Sequence, residues 1–295
     1  MKSLLIMNPT AGRPKPDDIV ERIDRALHKH GLPCDIALTE KSGDGTALAQ
    51  QAVRERCNLV IAAGGDGTVK EVVNGLVGTQ TKLGILPIGT VNVLARELKI
   101  PFDTPKAIQV LAEGNTNNID LGCANGHYFT LMAGLGFDGE VVSNVLQPLK
   151  DIIGSSAYVL SAIETLVKYD PTEVTLEMPD GTYTTEAFLV IVANSSTYAY
   201  KLKMAPYATP DDGLLDICVF ERSFSDKIGF VRQVAEIFIN RHVYHKAVSY
   251  WKTPKVTIKS NPNVLVQLDG DSFDSTPVDI SICPRILSVI VPPKR

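Results

Sequence analysis

The strongest constraint on the fold is an alternation of two patterns along residues 1–115. Short apolar runs suited to buried strands (SLLIMN, CDIALT, NLVIAAG, KLGILPIG) take turns with amphipathic stretches such as DDIVERIDRALHKHG and TALAQQAVRERC. In the first of these stretches Ile19, Ile23, Ala26 and Leu27 recur at helical spacing, and Gly31 stands at the expected stop. Parallel strands joined by helical crossovers are the packing that such a pattern serves, an α/β layer.

Three of the predicted strands run into turns with an unusual composition: Asn8-Pro9-Thr10-Ala11-Gly12, Gly64-Gly65-Asp66-Gly67-Thr68, and Pro87-Ile88-Gly89-Thr90-Val91-Asn92. Glycines let backbone N–H groups converge into an anion-binding nest, and a helix beginning near Val69 would add partial positive charge at its N-terminus. Phosphate is the natural guest. In a parallel sheet the C-terminal ends of the strands share one edge, so all three turns can meet at one crevice. A plain strand-to-helix turn with Thr68 as N-cap is the alternative for the middle turn. No G-x-x-x-x-G-K-[ST] loop is present, so backbone amides and hydroxyls, more than a dedicated lysine, would hold the phosphates.

From about Asn118 the pattern changes. HYFTLMAG, EVTLEM, TTEAFLVIVA, LLDICVF, KVTIKS and VLVQLDG read as strands, punctuated by Asp180-Gly181, Asp212-Gly213 and Asp269-Gly270, with helical stretches near 141–168 and 225–241. We expect residues 1–118 to form an α/β domain and 119–285 a mainly antiparallel β domain, with the closing strand 286–295 able to return to the first. Gly134-Leu135-Gly136-Phe137-Asp138-Gly139 matches G-x-G-x-x-G, but its β-rich surroundings make a poor dinucleotide half, and a turn in the β domain is the expectation.

A formal net charge of −4 gives no electrostatic case for nucleic acid. Five scattered cysteines without a C-x-x-C pair point to buried thiols of a reducing compartment rather than a zinc site or disulfide framework. The longest apolar run, Ala187 to Ala193, is far below the roughly 18 residues a membrane span needs. The expectation is a cytoplasmic protein that visits a membrane surface. His242 to His245 is a lone H-x-x-H without a glutamate, and is not read as a metal site.

NPTAG at 8–12, GGDGTVKEVVNGL at 64–76, PIGTVNVLARELKIP at 87–101, IDLG at 119–122, GLGFDGEV at 134–141, DDGLLDI at 211–217 and LDGD at 268–271 stand in family order along nearly the whole chain. In this the sequence resembles the diacylglycerol kinase catalytic-domain family, in particular the bacterial YegS-like lipid kinases. The resemblance implies a Rossmann-like α/β nucleotide-binding domain, a C-terminal β-sandwich domain, and an interdomain cleft where ATP donates its γ-phosphate to a hydroxyl of a lipid such as diacylglycerol. It implies a nucleotide site lined by Asn8, Pro9, Thr10, Ala11, Gly12, Thr39, Gly64, Gly65, Asp66, Gly67, Thr68, Glu71, Gly89, Thr90 and Asn92, with Asp66 orienting phosphates through Mg²⁺. A second, structural Mg²⁺ is implied at Thr209 and Leu214 through their carbonyls and at Asp212 through its carboxylate.

The general base is expected in Leu268-Asp269-Gly270-Asp271, at the exposed end of a strand. The family usually has Glu at the last position, one methylene longer than Asp271, so Asp269 and Asp271 both stand as candidates. The lipid would be met peripherally, at a membrane surface; Tyr198, Tyr200, Leu202 and Met204 interleaved with Lys201 and Lys203 suit either anionic headgroups or one half of a buried strand. A homodimer is left open. Two other readings stand beside the lipid kinase: an NAD kinase, which shares GGDGT, and a homologue that binds nucleotide or lipid without turnover.

Overall fold

A computed structural model describes residues 2–12, 18–144, 169–198, 202–223 and 226–293, with the side chains of 141–144 and 226–227 not described. Tyr200 and Lys201, and most of the stretch 141–168, lie outside these residues. The chain forms two compact units, Met1–Asp120 with Pro284–Arg295, and Leu121–Cys283.

In the first unit β1 (Ser3–Met7), α1 (Ile19–Lys29), β2 (Asp35–Leu38), α2 (Asp44–Arg54), β3 (Leu59–Gly64), α3 (Asp66–Leu76), β4 (Lys82–Pro87), α4 (Val93–Glu97) and α5 (Thr104–Glu113) follow in order. The strands lie parallel as β2-β1-β3-β4, with Met7 level with Ala63 and Gly64 level with Pro87. Because helices cover a parallel sheet on both faces, β3 is buried along its whole length, which is why it reads as an unbroken apolar run. Helix α1 ends as its sequence predicts: Gly31 is left-handed at φ 73°, and the Leu32 N–H returns to the Leu27 carbonyl. Helix α3 begins three residues before Val69, with Gly65 as N-cap and Thr68 inside its first turn.

The second unit takes up the chain from β5 (Thr116–Ala124), whose last residues pair with β6 (His127–Phe129). It continues with β7 (Met132–Gly136), α6 (Phe137–Asn144), β8 (Thr172–Met178), β9 (Gly181–Ala193), β10 (Leu215–Glu221) and α7 (Asp226–Ile237). Strands β11 (Val248–Thr253), β12 (Lys255–Asn261), β13 (Leu265–Leu268), β14 (Asp271–Ser275) and β15 (Val278–Ile290) complete it. The pairings are antiparallel, in the order β14-β13-β7-β9-β8-β12-β15, while β10 joins β9 to β11. Alternate residues Val190 and Val192, Ile217 and Val219, Ile258 and Ile280 turn inward to one apolar core. Strand β15 pairs its first residues with β12 and its Val289 with Leu83 of β4, this last pairing parallel. Of the five cysteines, all free thiols, Cys57 and Cys218 are buried as expected, whereas Cys34, Cys123 and Cys283 are only half-buried.

Candidate active site

The three glycine-bearing turns follow β1, β3 and β4, adjacent strands of the parallel sheet, and their backbones close on one another. A Cβ on Gly89 would fall 2.4 Å from the Gly65 Cα, and one on Gly12 would fall 2.6 Å from the Ile88 carbonyl oxygen. The Ile88 and Gly89 amides both donate to the Gly64 carbonyl, at 3.2 and 3.0 Å. Glycine at 12 and 89 therefore serves contact between turns, and the convergence expected of the sheet edge is present. The N-cap of α3 is Gly65, which has no side chain to cap the first turn, and the N–H groups of a helix's first turn point along its axis as an anion site requires. Thr90 is exposed beside Gly89. Asn92 is left-handed at φ 50° and 1 % exposed, and among the described residues neither its side-chain oxygen nor its nitrogen has a hydrogen-bond partner.

Other members of the predicted nucleotide set have structural partners of their own. Asn8 forms an Asx turn, its Oδ1 accepting from the Thr10 N–H at 3.0 Å and the Thr10 hydroxyl at 2.9 Å. Thr39 extends the β2–β1 ladder through its N–H to the Met7 carbonyl. Asp66 reaches across to the PIGTVN turn, where its two oxygens accept from the N–H of Asn92 at 2.9 Å and of Val93 at 2.6 Å, so that a carboxylate sits on the N-terminus of α4. Glu71 faces α2: its carboxylate accepts from the N–H of Gly43 and of Gly45, each at 2.9 Å. Glu71 thus caps the N-terminus of α2 from the neighbouring helix α3.

The L-D-G-D sequence closes the β13–β14 hairpin with Leu268 opposite Asp271. Asp269 and Gly270 are both left-handed, at φ 51° and 84°, the conformation of a two-residue type I′ turn. The two acids have different surroundings. Asp269 Oδ2 accepts from the Thr130 N–H (2.7 Å) and hydroxyl (2.9 Å), and its Oδ1 from the N–H of Leu131 (2.9 Å) and Met132 (3.0 Å). A carboxylate offers about four acceptor positions, and all four are used. Asp269 therefore anchors the turn, with its four acceptor positions filled by protein donors. Asp271 is exposed at the first position of β14.

A buried chain of hydrogen bonds supports the same hairpin. Gly270 N–H donates to Gln267 Oε1 at 2.6 Å, Gln267 Nε2 donates to Asp138 Oδ2 at 2.6 Å, and the Tyr198 hydroxyl donates to Asp138 Oδ1 at 2.7 Å. Burial raises the Asp138 carboxyl above the ordinary aspartate range, against the lowering effect of its two donors. This explains the G-x-G-x-x-G sequence at 134–139. A Cβ at Gly134 would fall 1.9 Å from Asp138 Oδ2, and one at Gly139 would fall 2.3 Å from the Leu265 carbonyl oxygen. The glycines make room for Asp138, Gln267 and β13.

At the third predicted cluster Asp212 folds into its own turn, its Oδ1 accepting from the Leu214 N–H at 3.1 Å, while Thr209 is exposed. The Lys252 ammonium lies 2.9 Å from Asp212 Oδ2, 3.4 Å from Asp216 Oδ2 and 3.0 Å from the Tyr207 carbonyl oxygen. Asp216 is fully buried and receives the Tyr250 hydroxyl at 2.5 Å; burial pushes its carboxyl up. Both Asp212 oxygens thus have a protein donor, one N–H and one ammonium, and each keeps a further acceptor position for the Mg²⁺ expected there with the Thr209 and Leu214 carbonyls.

Known proteins share this organisation. The sequence model of the diacylglycerol kinase catalytic domain matches residues 2–124, and that of the YegS C-terminal NAD kinase beta sandwich-like domain matches 132–291. A diacylglycerol kinase of Staphylococcus epidermidis (strain RP62A) is 31% identical over 99% of this chain and 92% of its own length. This chain belongs to the diacylglycerol kinase family. The diacylglycerol kinase of Staphylococcus aureus strain JH9 is 32% identical over the same shares. Among solved structures, a diacylglycerol kinase from Bacillus anthracis strain Sterne superimposes with a TM-score of 0.77 at 25% identity, over 99% of this chain and 97% of that one. A second chain from the same organism reaches 0.85 at 27% identity, over 99% and 95%. The family's two-domain plan, α/β followed by a β-sandwich-like domain, is the fold expected of the sequence.

Sequence reasoning missed Thr130, Gln267 and Lys252. Asp138 stood inside a motif that drew attention for its glycines alone. The partners of Asp269 are 137 to 139 residues away in sequence, a separation that no local pattern signals.

Proposed function

We propose that the chain is an ATP- and Mg²⁺-dependent lipid kinase that transfers the γ-phosphate of ATP to a hydroxyl of a lipid such as diacylglycerol. The observation that carries this reading is the meeting of the Gly12, Gly65 and Gly89 turns at the C-terminal edge of parallel strands, beside the uncapped N-terminus of α3. The first-turn amides of α3 would hold phosphate oxygens, with Thr90 beside them, and the side-chain amide of Asn92 offers two N–H donors and a carbonyl acceptor to a bound nucleotide. Asp66 is the acid at which a Mg²⁺ on the phosphates would be held; when bound, the ion would neutralise charge on the transferring group.

Asp271 is the proposed general base, taking the proton of the lipid hydroxyl as the oxygen attacks phosphorus. Asp269 fixes the turn that presents Asp271, and Gln267 fixes Gly270 from the buried side. The lipid is met at a membrane surface: among the described residues no helix is long and apolar enough to cross a bilayer. The deciding assay follows labelled γ-phosphate from ATP to a panel of lipids in mixed micelles, with NAD and water as control acceptors. Label on a lipid is expected. Label on NAD alone would replace this reading by an NAD kinase.

A further inference from the structure

Helix α7 has two apolar sides, and the described residues cover only one. Phe230, Gln233 and Ile237 are buried: the Phe230 ring stacks on Phe188 at 4.7 Å, and Gln233 Nε2 donates to the Glu221 carbonyl at 3.0 Å. Away from them, Ile228 is 78% exposed and Val231 48% exposed, and directly after the helix Phe238 is 67% and Ile239 62% exposed. The chain then turns through Asn240 and Arg241 into a short 3-10 segment, His242–Tyr244, where Tyr244 is 74% exposed. The Tyr207 hydroxyl donates to the Tyr244 hydroxyl at 3.1 Å, which adds a second exposed aromatic ring beside it. Underneath, buried His242 bonds the Met204 carbonyl at 3.0 Å and stacks on Phe220, so the segment is anchored.

These six side chains are all of the large exposed apolar residues described in the second unit, and they fall on three consecutive pieces of backbone and one loop. Exposed apolar groups scattered singly need no explanation, but a concentration of Ile, Val, Phe and Tyr is characteristic of a contact surface. Cations stand at its margin: Arg241 and Lys246 are exposed, and Arg232 pairs with Glu236 on its own helix, at 3.1 Å. A formal net charge of −4 for the whole chain makes this cationic margin a local feature.

We propose that Ile228, Val231, Phe238, Ile239, Tyr207 and Tyr244 form a membrane-docking face that seats in the headgroup–acyl boundary of an anionic phospholipid bilayer. Aliphatic and phenyl groups enter the acyl region, tyrosine rings sit at headgroup depth with their hydroxyls toward water, and Arg241 and Lys246 meet anionic headgroups. A second copy is the poorer occupant. Two-fold packing sets the same patch on both partners, so it would bring two cationic margins, those of Arg241 and Lys246, into one interface. The proposal deepens the lipid-kinase reading and rests on it for the reason the chain must meet a bilayer.

The test is flotation with vesicles of phosphatidylglycerol and phosphatidylcholine, and of phosphatidylcholine alone, using the full chain and two variants: Phe238→Ser with Ile239→Ser, and Arg241→Gln with Lys246→Gln. The wild type is expected to bind the anionic vesicles. The apolar pair should lower binding at least about tenfold, and the charge pair should lower it and flatten its dependence on salt. Phosphorylation of a short-chain diacylglycerol dissolved below its micelle concentration should stay unchanged in both variants. Wild-type protein that floats with no vesicle, or an apolar variant that floats as well as wild type, overturns the proposal. So does sedimentation showing a wild-type dimer and a monomeric apolar variant, which would make this face a subunit interface. Transfer to the soluble lipid is scored separately, so its absence would remove the kinase reading while the flotation result still decides the docking face.

Discussion

At Asp269 four donors meet one carboxylate, three of them backbone N–H groups of successive residues, whereas Asp271 two positions later is exposed. The two acids should therefore respond in opposite ways to the same isosteric change. Asp271→Asn removes the proton acceptor and is expected to lower turnover about 10²- to 10⁴-fold while the dissociation constant for ATP stays within twofold. Asp269→Asn turns an NH₂ group toward N–H donors, and should cost about 2–4 kcal/mol in urea unfolding. Full turnover in Asp271→Asn would end its assignment as base. Asp138 adds a pH signature. Its carboxyl is raised by burial, and a group raised in the folded state favours folding at low pH, a contribution lost as pH rises through the folded value. Asp138→Asn carries no such charge, so the melting temperature of the variant minus that of wild type should grow from about pH 4 upward. A difference that does not change with pH would show that Asp138 does not titrate in this way.

Elements were legible in the sequence where the cause is local. The apolar runs and the helical period of α1 located strands and helix because burial acts residue by residue along one segment. The start of α3 was misplaced because Gly64 to Gly67 reads as loop, whereas the helix begins at Asp66, whose carboxylate is needed at the N-terminus of α4. HYFTLMAG reads as one strand but divides into β6 and β7, since the amides of Thr130 and Leu131 turn to Asp269. Of the candidate site, the three turns were visible as glycines, but the direct contact of Gly65 with Gly89 depends on the pairing of β3 with β4. That contact gives a prediction. Gly89→Ala would drive a methyl into the Gly65 backbone, which cannot yield as a flexible side chain could. Binding of ATP, followed by calorimetry, should weaken at least about tenfold, a loss of roughly 1.4 kcal/mol or more. Unchanged affinity would separate the junction of the turns from nucleotide binding.

For the whole molecule, the change from alternating helix and strand to successive strands was plain in the sequence, but the course of the last strand was not, because ILSVIV fits either kind of sheet. Long-range pairing decides it. Residues 284–295 join the first unit: Val289 lies level with Leu83, the Val291 N–H donates to the Asn115 carbonyl at 2.8 Å, and the Arg285 N–H donates to buried Asp120 at 2.7 Å. Leu287, Val289 and Ile290 are 1%, 0% and 2% exposed. At about 1.5–3 kcal/mol for each buried aliphatic side chain, losing them costs roughly 5–9 kcal/mol. That is comparable with the whole stability of an ordinary domain, about 5–15 kcal/mol. A chain ending at Cys283 should therefore keep the second unit and lose the first. Hydrogen exchange would read this directly: amides of β3 and β4 should exchange rapidly in the shortened chain, while those of the β8–β9 pair stay protected. Protection of β3 and β4 at the wild-type level would mean that the parallel layer of the first unit folds without its last strand, and the twelve C-terminal residues would then owe their burial to a core already complete.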